Sequence, residues 1–351
     1  MNTNNKITNS KRISIAPMVD VTDCHFRKIC RFMTKKTFLY TEMVTAQAII
    51  NGDITKLLKS DDIEKPLVLQ IAGSNSDEIN EAMDIIKKYN FDEINLNVGC
   101  PSPKVSEYIM GASLMAYPNK VSEMSRIMIE KSNVPVTIKH RIGINGKGII
   151  PDSDKPIRTS YQDLEDFVST LKKEGINRFI IHARIAILKG LSPEKNRKVP
   201  ELKYDYVYNL KKKFQDAYIE INGGIDSIEK IKYNLERTDG VMLGRIAYEN
   251  PMILAFLDNI IDDEPLKTNL TRRKILEKIY SYAIELESNV EPSKPILKHL
   301  YGFFFGKKGS KKWKQIIMPP YNCEEASEII KTGIENMPQE SLDEPLNPKD
   351  F

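Results

Sequence analysis

Apolar residues follow two different periods along the chain. Short runs rich in β-branched residues occur at 13–18 (ISIAPM), 38–43 (FLYTEM), 67–72 (LVLQIA), 93–99 (EINLNVG), 136–141 (VTIKHR), 178–184 (RFIIHAR), 218–222 (YIEIN) and 240–245 (GVMLGR). Between them, apolar positions recur at three- and four-residue steps among Lys and Glu, most clearly at 77–89 and 226–235. The runs read as strands and the intervening segments as amphipathic helices. Eight strands, each followed by a helix, is the count that closes a (β/α)8 TIM barrel, an α/β fold whose sites lie in the loops after the strands.

Two segments exceed a minimal barrel. After the fifth run, 145–160 (NGKGIIPDSDKPIRTS) carries Gly, Pro and Asp and reads as a mobile rim loop. Beyond 263, helical periodicity returns at 271–287 and 296–305, punctuated by Pro265, Pro292 and Pro319. The expected organisation is a flexible N-terminus (1–11), a barrel (12–263), a small C-terminal helical domain (264–336) and an acidic flexible tail (337–351).

Composition narrows the class without changing that picture. With 351 residues, 41% hydrophobic and 28% charged, the chain is an ordinary globular protein, which excludes intrinsic disorder, collagen-like repeats and a disulfide mini-scaffold. It has neither a long uninterrupted apolar run nor an apolar core near the N-terminus of the kind a secretory signal needs, so a cytoplasmic protein with no membrane partner is expected. Cys24, Cys30, Cys100 and Cys323 lack paired spacing, and His25, His140, His182 and His299 lack ligand spacing, so no metal is expected. The net charge of +4 is unevenly spread: 267–314 holds 12 Lys and Arg against 4 acids, and 321–351 holds 2 against 8.

The strand ends carry the candidate chemistry. Asn95, Asn97 and Gly99 share one face of the fourth run, and Cys100 follows in a rim turn. A thiol there can exchange a proton or attack an electrophile, or it is simply packed beside Pro101. Lys139 and Arg141 share a face of the fifth run and imply an anionic or electron-rich ligand, unless Arg141 reaches solvent or a carboxylate such as Glu42. His182 ends the sixth run, as a donor or as a structural imidazole. Asn222, Gly223 and Gly224 follow the seventh run, and Gly244 and Arg245 the eighth, the two loops that frequently build a phosphate site in a TIM barrel. With Ala16, Pro17, Met18 and Gln70 as an apolar ledge and an amide at neighbouring strand ends, a flat phosphorylated cofactor such as a flavin suits the mouth. Lys294, Lys298, His299, Lys307, Lys308, Lys311, Lys312 and Lys314, interleaved with Tyr301, Phe303, Phe304, Phe305 and Trp313, form either a nucleic-acid surface or a solvated face over a small core.

The motifs IAPMVDVTD, LYTEM, LQIAGS, EINLNVGCPS, VTIKHRIG, IIHAR, INGGI and DGVMLGRIAYENP occur in order over roughly 12–320, and together they resemble the tRNA-dihydrouridine synthase family. The stretch GLSPEKNRKVPEL at 190–202 is similar to the branch that acts at D-loop positions 20 and 20a. The resemblance implies an enzyme holding FMN and drawing on NADPH, which reduces the C5=C6 bond of a tRNA uridine with hydride to C6 and a proton from Cys100 to C5. Carried over by position, Ala16, Pro17, Met18, Gln70, Lys139, His182, Asn222, Gly223, Gly224, Gly244 and Arg245 would hold FMN. Asn97 and Arg141 would lie near the uracil, and Lys195, Arg197, Lys298 and His299 would contact tRNA. A monomer with no obligate protein partner is expected. Ser113, in a position where relatives carry cysteine, and His140 depart from the family pattern away from this chemistry. Two other readings stay open: an FMN-barrel reductase of a free pyrimidine or enone, and a tRNA-folding chaperone with a vestigial flavin site.

Overall fold

The computed structural model describes residues 12–102, 109–321 and 325–351; the segment 1–11 and Cys323 lie outside them. The alternating runs form eight strands: β1 (Arg12–Ile15), β2 (Leu39–Thr45), β3 (Leu67–Ala72), β4 (Glu93–Val98), β5 (Val136–Arg141), β6 (Arg178–His182), β7 (Tyr218–Asn222) and β8 (Gly240–Leu243). Each pairs in parallel with its neighbours, from β2 through β8 to β1. A bridge between Ser14 and Phe38 closes the ring, with Ile15 N–H donating to the Phe38 carbonyl and Phe38 N–H to that of Ile13, both at 2.9 Å. The expected barrel therefore forms.

Helices begin where the sequence supplies a cap. Asp23, Asn75, Ser227 and Thr271 each accept a backbone N–H of the first turn, and Ser160 forms a capping box with Asp163. The helix expected at 77–89 runs Ser76–Ile86, and that expected at 226–235 runs Ile228–Leu235. Their apolar faces and the outward-facing strand residues make one main core. That core continues without a break into the C-terminal helices, where Ile275, Ile279, Leu297, Phe303, Phe304 and Trp313 are fully buried.

The C-terminal unit contains helices Arg272–Ser288, Ser310–Ile317 and Ala326–Asn336. The second expected helix, 296–305, is instead a 3-10 stretch, Lys294–Leu300, followed by turns. Gly302 allows those turns to approach the barrel, since a Cβ there would lie 2.3 Å from the Tyr248 carbonyl oxygen.

Two expectations of mobility are corrected. Segment 145–160 joins a small three-stranded sheet, in which 144–145 pairs with 157–158 and with 186–187; Tyr117 Oη donates to Asp154 at 2.8 Å and Arg158 to the Ala116 carbonyl at 3.1 Å. The tail 337–351 is docked, not loose: Leu342 and Leu346 are buried, Phe351 packs 5.8 Å from Phe256, and its carbonyl accepts from Ile228 N–H at 2.8 Å. Its acids fold back on the basic segment, with Arg272 and Lys307 on Glu344, Arg273 on Asp343, Lys308 on Glu340 and Lys307 also on Asp350. Apolar anchors and opposite charge give the tail a place that its local composition does not reveal.

Candidate active site

The two-residue alternation sends Arg12, Gln70, Glu93, Asn95, Asn97, Thr137, Lys139, Arg178, His182, Glu220 and Asn222 into the ring, and the strand register aligns them in tiers. The lowest tier neutralises itself. Glu93 meets Arg12 at 2.8 Å and Arg178 at 2.5 Å, Arg12 also lies 3.5 Å from Glu220, and Ser14 hydrogen-bonds Glu220. Burial pushes the Glu93 carboxyl up, but Arg12 and Arg178 reverse this and leave it below its ordinary value. None of these four charged residues was singled out from the sequence; the signal was a charge at an inward position of an otherwise apolar run, as in EINLN and YIEIN.

At the mouth, Asn97 shapes the turn that carries Cys100. Its Oδ1 accepts the N–H groups of Gly99 (3.1 Å) and Cys100 (3.0 Å), while its Nδ2 donates to Gln70 Oε1 at 2.8 Å. The Cys100 carbonyl accepts from Ala112 N–H at 2.9 Å, and the residue is half-buried. Cys100 is therefore not fully buried in its turn.

Lys139 is half-buried with Nζ 3.4 Å from Asn222 Oδ1, and Asn222 is itself fixed by donating to the Met242 carbonyl at 2.8 Å. Burial, aided by Arg141, pushes the Lys139 ammonium down to about 8. Arg141 is 4% exposed and donates to the carbonyls of Gly99, Ile185 and Asn196; burial lowers it to about 10. It does not pair with Glu42, which instead accepts from the Asp20 N–H. Both cations interact electrostatically with Cys100, so the structure brings the thiol, Lys139 and Arg141 into one neighbourhood. Arg141, expected near a substrate base, is anchored in the wall of the mouth through Nε and Nη1, where three carbonyls converge.

His182 is held well below the usual imidazole range, first by burial and then by Arg141, Lys139, Arg184 and Arg197. It is neutral, and its Nδ1 is buried without a partner. Gly223 (φ 113°) and Gly224 (φ 68°) adopt left-handed backbone that other residues resist, and a Cβ on Gly223 would sit 3.3 Å from the His182 ring. A Cβ on Gly244 would meet open space, and the Arg245 guanidinium is partly exposed, 4.0 Å from Glu249. Ala16 is 7% exposed, beside the half-buried Pro17 and Met18. An orphaned ring nitrogen, a glycine cradle and the cations Lys139, Arg141 and Arg245 fit a phosphorylated planar group with hydrogen-bonding edges.

Sequence reasoning missed two residues of this mouth. Arg184 donates to the Pro200 carbonyl, and burial together with Arg245 lowers its guanidinium; its signal was the inward step from His182 in IIHAR. Asn196 is fully buried and pins its loop through both amide ends to Ile187, at 2.8 and 2.9 Å. Its neighbours Lys195 and Arg197 are exposed on that loop, as a partner-contacting role requires.

The other expected contact pair lies elsewhere. Lys298 Nζ is 2.8 Å from Asp23 and donates to the Asp20 carbonyl at 3.1 Å, while His299 is 5% exposed with Nε2 2.9 Å from Asp23 Oδ1. His299 is therefore a clasp between the helical unit and the cap of the first barrel helix, not a surface group, and Lys298 shares that clasp. His140 points outward, its Nδ1 2.7 Å from the Arg141 carbonyl and its ring 5.1 Å from Phe167. Ser113 donates to the Met110 carbonyl at 2.7 Å. Among the described residues no cluster of His, Cys, Asp and Glu could hold a metal ion, and no helix is long and apolar enough to cross a membrane.

The sequence is 42% identical over 326 residues to the tRNA-dihydrouridine(20/20a) synthase of Synechocystis sp., covering 92% of this chain and 93% of the relative. It is 40% identical to the proteins of that name from Pseudomonas putida, covering 88% of each chain, and Vibrio vulnificus, covering 95% of this chain and 99% of the relative. The family profile described as Dihydrouridine synthase (Dus) matches residues 14–337. With that match spanning both the barrel and the helical unit, the chain belongs to the dihydrouridine synthase family.

Proposed function

We propose that the protein is an FMN- and NADPH-dependent enzyme that reduces the C5=C6 bond of uridines in the D-loop of tRNA, at positions 20 and 20a. The observation that carries the reading is the convergence of Cys100, Lys139 and Arg141 at a barrel mouth, the two cations having no carboxylate partner among the described residues. Gly223, Gly224, Gly244 and Arg245 would take the phosphate of the flavin, and Lys139, Gln70, His182 and Asn222 its ring and chain, with Ala16, Pro17 and Met18 against its apolar surface. Bound there, FMN would contribute hydride chemistry at C6 of the uracil, with NADPH as the reductant. Cys100, on a turn fixed by Asn97, donates the proton that C5 needs. Arg141 orders the wall beside it, and neutral His182 offers an uncharged ring nitrogen.

The barrel (12–263) is the catalytic unit and the helical segment (264–336) the grip on RNA. Lys195 and Arg197 flank the mouth, and Lys311, Lys312 and Lys314 are exposed on one short helix while the tail engages Lys307 and Lys308. A uridine must leave its stack to reach Cys100, so the grip reads backbone shape. The protein works as a monomer in the cytoplasm, where tRNA is its partner.

The test is nucleoside mass spectrometry of unmodified tRNA incubated with protein, FMN and NADPH. A gain of two hydrogens confined to positions 20 and 20a is expected, and lost in Cys100→Ala. Reduction of free uridine as readily as of tRNA would overturn the RNA assignment.

A further inference from the structure

A single file of hydrogen bonds climbs the inside of the barrel from its base to its mouth. Thr137 Oγ1 donates to Glu93 Oε1 at 2.7 Å and accepts from Asn95 Nδ2 at 2.8 Å. Asn95 Oδ1 accepts from Gln70 Nε2 at 2.7 Å, and Gln70 Oε1 from Asn97 Nδ2 at 2.8 Å. Asn97 Oδ1 then receives the N–H groups of Gly99 and Cys100. All five side chains are 7% exposed or less, so water does not substitute for a missing link.

The direction of the file is forced at both ends. Glu93, flanked by Arg12 and Arg178, is a carboxylate and can only accept. Thr137 has one proton, spent on Glu93, and so must accept from the amide of Asn95. The same logic orients Gln70 and then Asn97. From the mouth, backbone N–H groups can only donate, which calls for the Asn97 oxygen in the place where the file puts it. A buried chain satisfied at every link stiffens its members together, and one reversed link leaves two acceptors or two donors facing each other.

We propose that Glu93, Thr137 and Asn95 are positioning residues which, through Gln70 and Asn97, hold the turn that carries Cys100.

The experiment measures the rate of Cys100 alkylation by iodoacetamide in the full chain as purified, by peptide mass spectrometry, with half-buried Cys24 as internal reference. Thr137→Val deletes the hydroxyl at constant shape, Thr137→Ser keeps it, and Asn95→Asp places an acceptor-only group against Thr137. At least a fivefold rise at Cys100 is expected in Thr137→Val and in Asn95→Asp, with Cys24 unchanged and Thr137→Ser at the parental rate. Dihydrouridine formation should fall in the same order, through kcat more than KM. Parental Cys100 rates in both disruptive variants would overturn the proposal, as would equal rises at Cys24 and Cys100, which report general loosening. If the parental protein makes no dihydrouridine while the alkylation pattern holds, the functional reading fails and the positioning role stands.

Discussion

The base and the mouth of the same barrel are lined with the same kinds of side chain and treat them in opposite ways. At the base, Arg12 and Arg178 are buried against Glu93, with Glu220 beside Arg12, and the Arg12 guanidinium is driven above its ordinary value: burial opposes this, but Glu93, Tyr40 and Glu220 outweigh it. At the mouth, Lys139, Arg141 and Arg184 are bonded only to neutral oxygens, and burial drives each of them down. The base is a finished ion cluster whose worth is structural. Among the described residues Lys139, Arg141 and Arg184 have no carboxylate in ion-pair contact, which is what an anionic cofactor and a polyanionic substrate require.

That contrast can be broken most forcefully at the base. Glu93→Leu strips Arg12 and Arg178 of their common carboxylate and should cost about 3–5 kcal/mol in urea unfolding; a loss under 1 kcal/mol would deny the base its structural role. His140, on the outer face of β5, is a control in which burial dominates. Burial pushes its imidazole down to about 4, so as pH falls below the ordinary 6.5 the unfolded chain takes up a proton that the folded chain refuses. Stability should therefore fall by about 3 kcal/mol between pH 6.5 and 4, and His140→Gln should flatten that limb of the pH–stability curve. Lys139→Leu sharpens the comparison, because its sign is opposite to that of Glu93→Leu. Deleting a half-buried cation with no carboxylate partner among the described residues should leave the flavin-free protein as stable or more so, while flavin retained through purification drops at least tenfold, read from absorbance. Unchanged flavin would remove Lys139 from the site.

Most of the barrel was legible because strands and caps are local. EINLNV alternates within six residues, and Asn75 or Thr271 caps a helix within the next turn. The mouth was legible for a related reason: inward positions at strand ends follow from a period of two, which placed Asn97, Lys139, His182 and Asn222 together. What a side chain does once there was not legible. That Arg141 would find acceptors in the carbonyls of Gly99, Ile185 and Asn196, and that His299 would meet Asp23 across the interface, is not written in either residue's neighbours along the chain.

The tail makes the same point at larger scale. By composition 337–351 is an acidic, flexible end; in the fold Leu342 and Leu346 find the core, and Glu340, Asp343, Glu344 and Asp350 find cations. The sequence by itself determined the strand count, the inward-facing set and the position of the thiol, since periodicity is a property of neighbours along the chain. Only the tertiary structure decided which buried charges are cancelled and which are left open, because an ion pair or a converging carbonyl depends on distances between residues that the chain brings together from far apart.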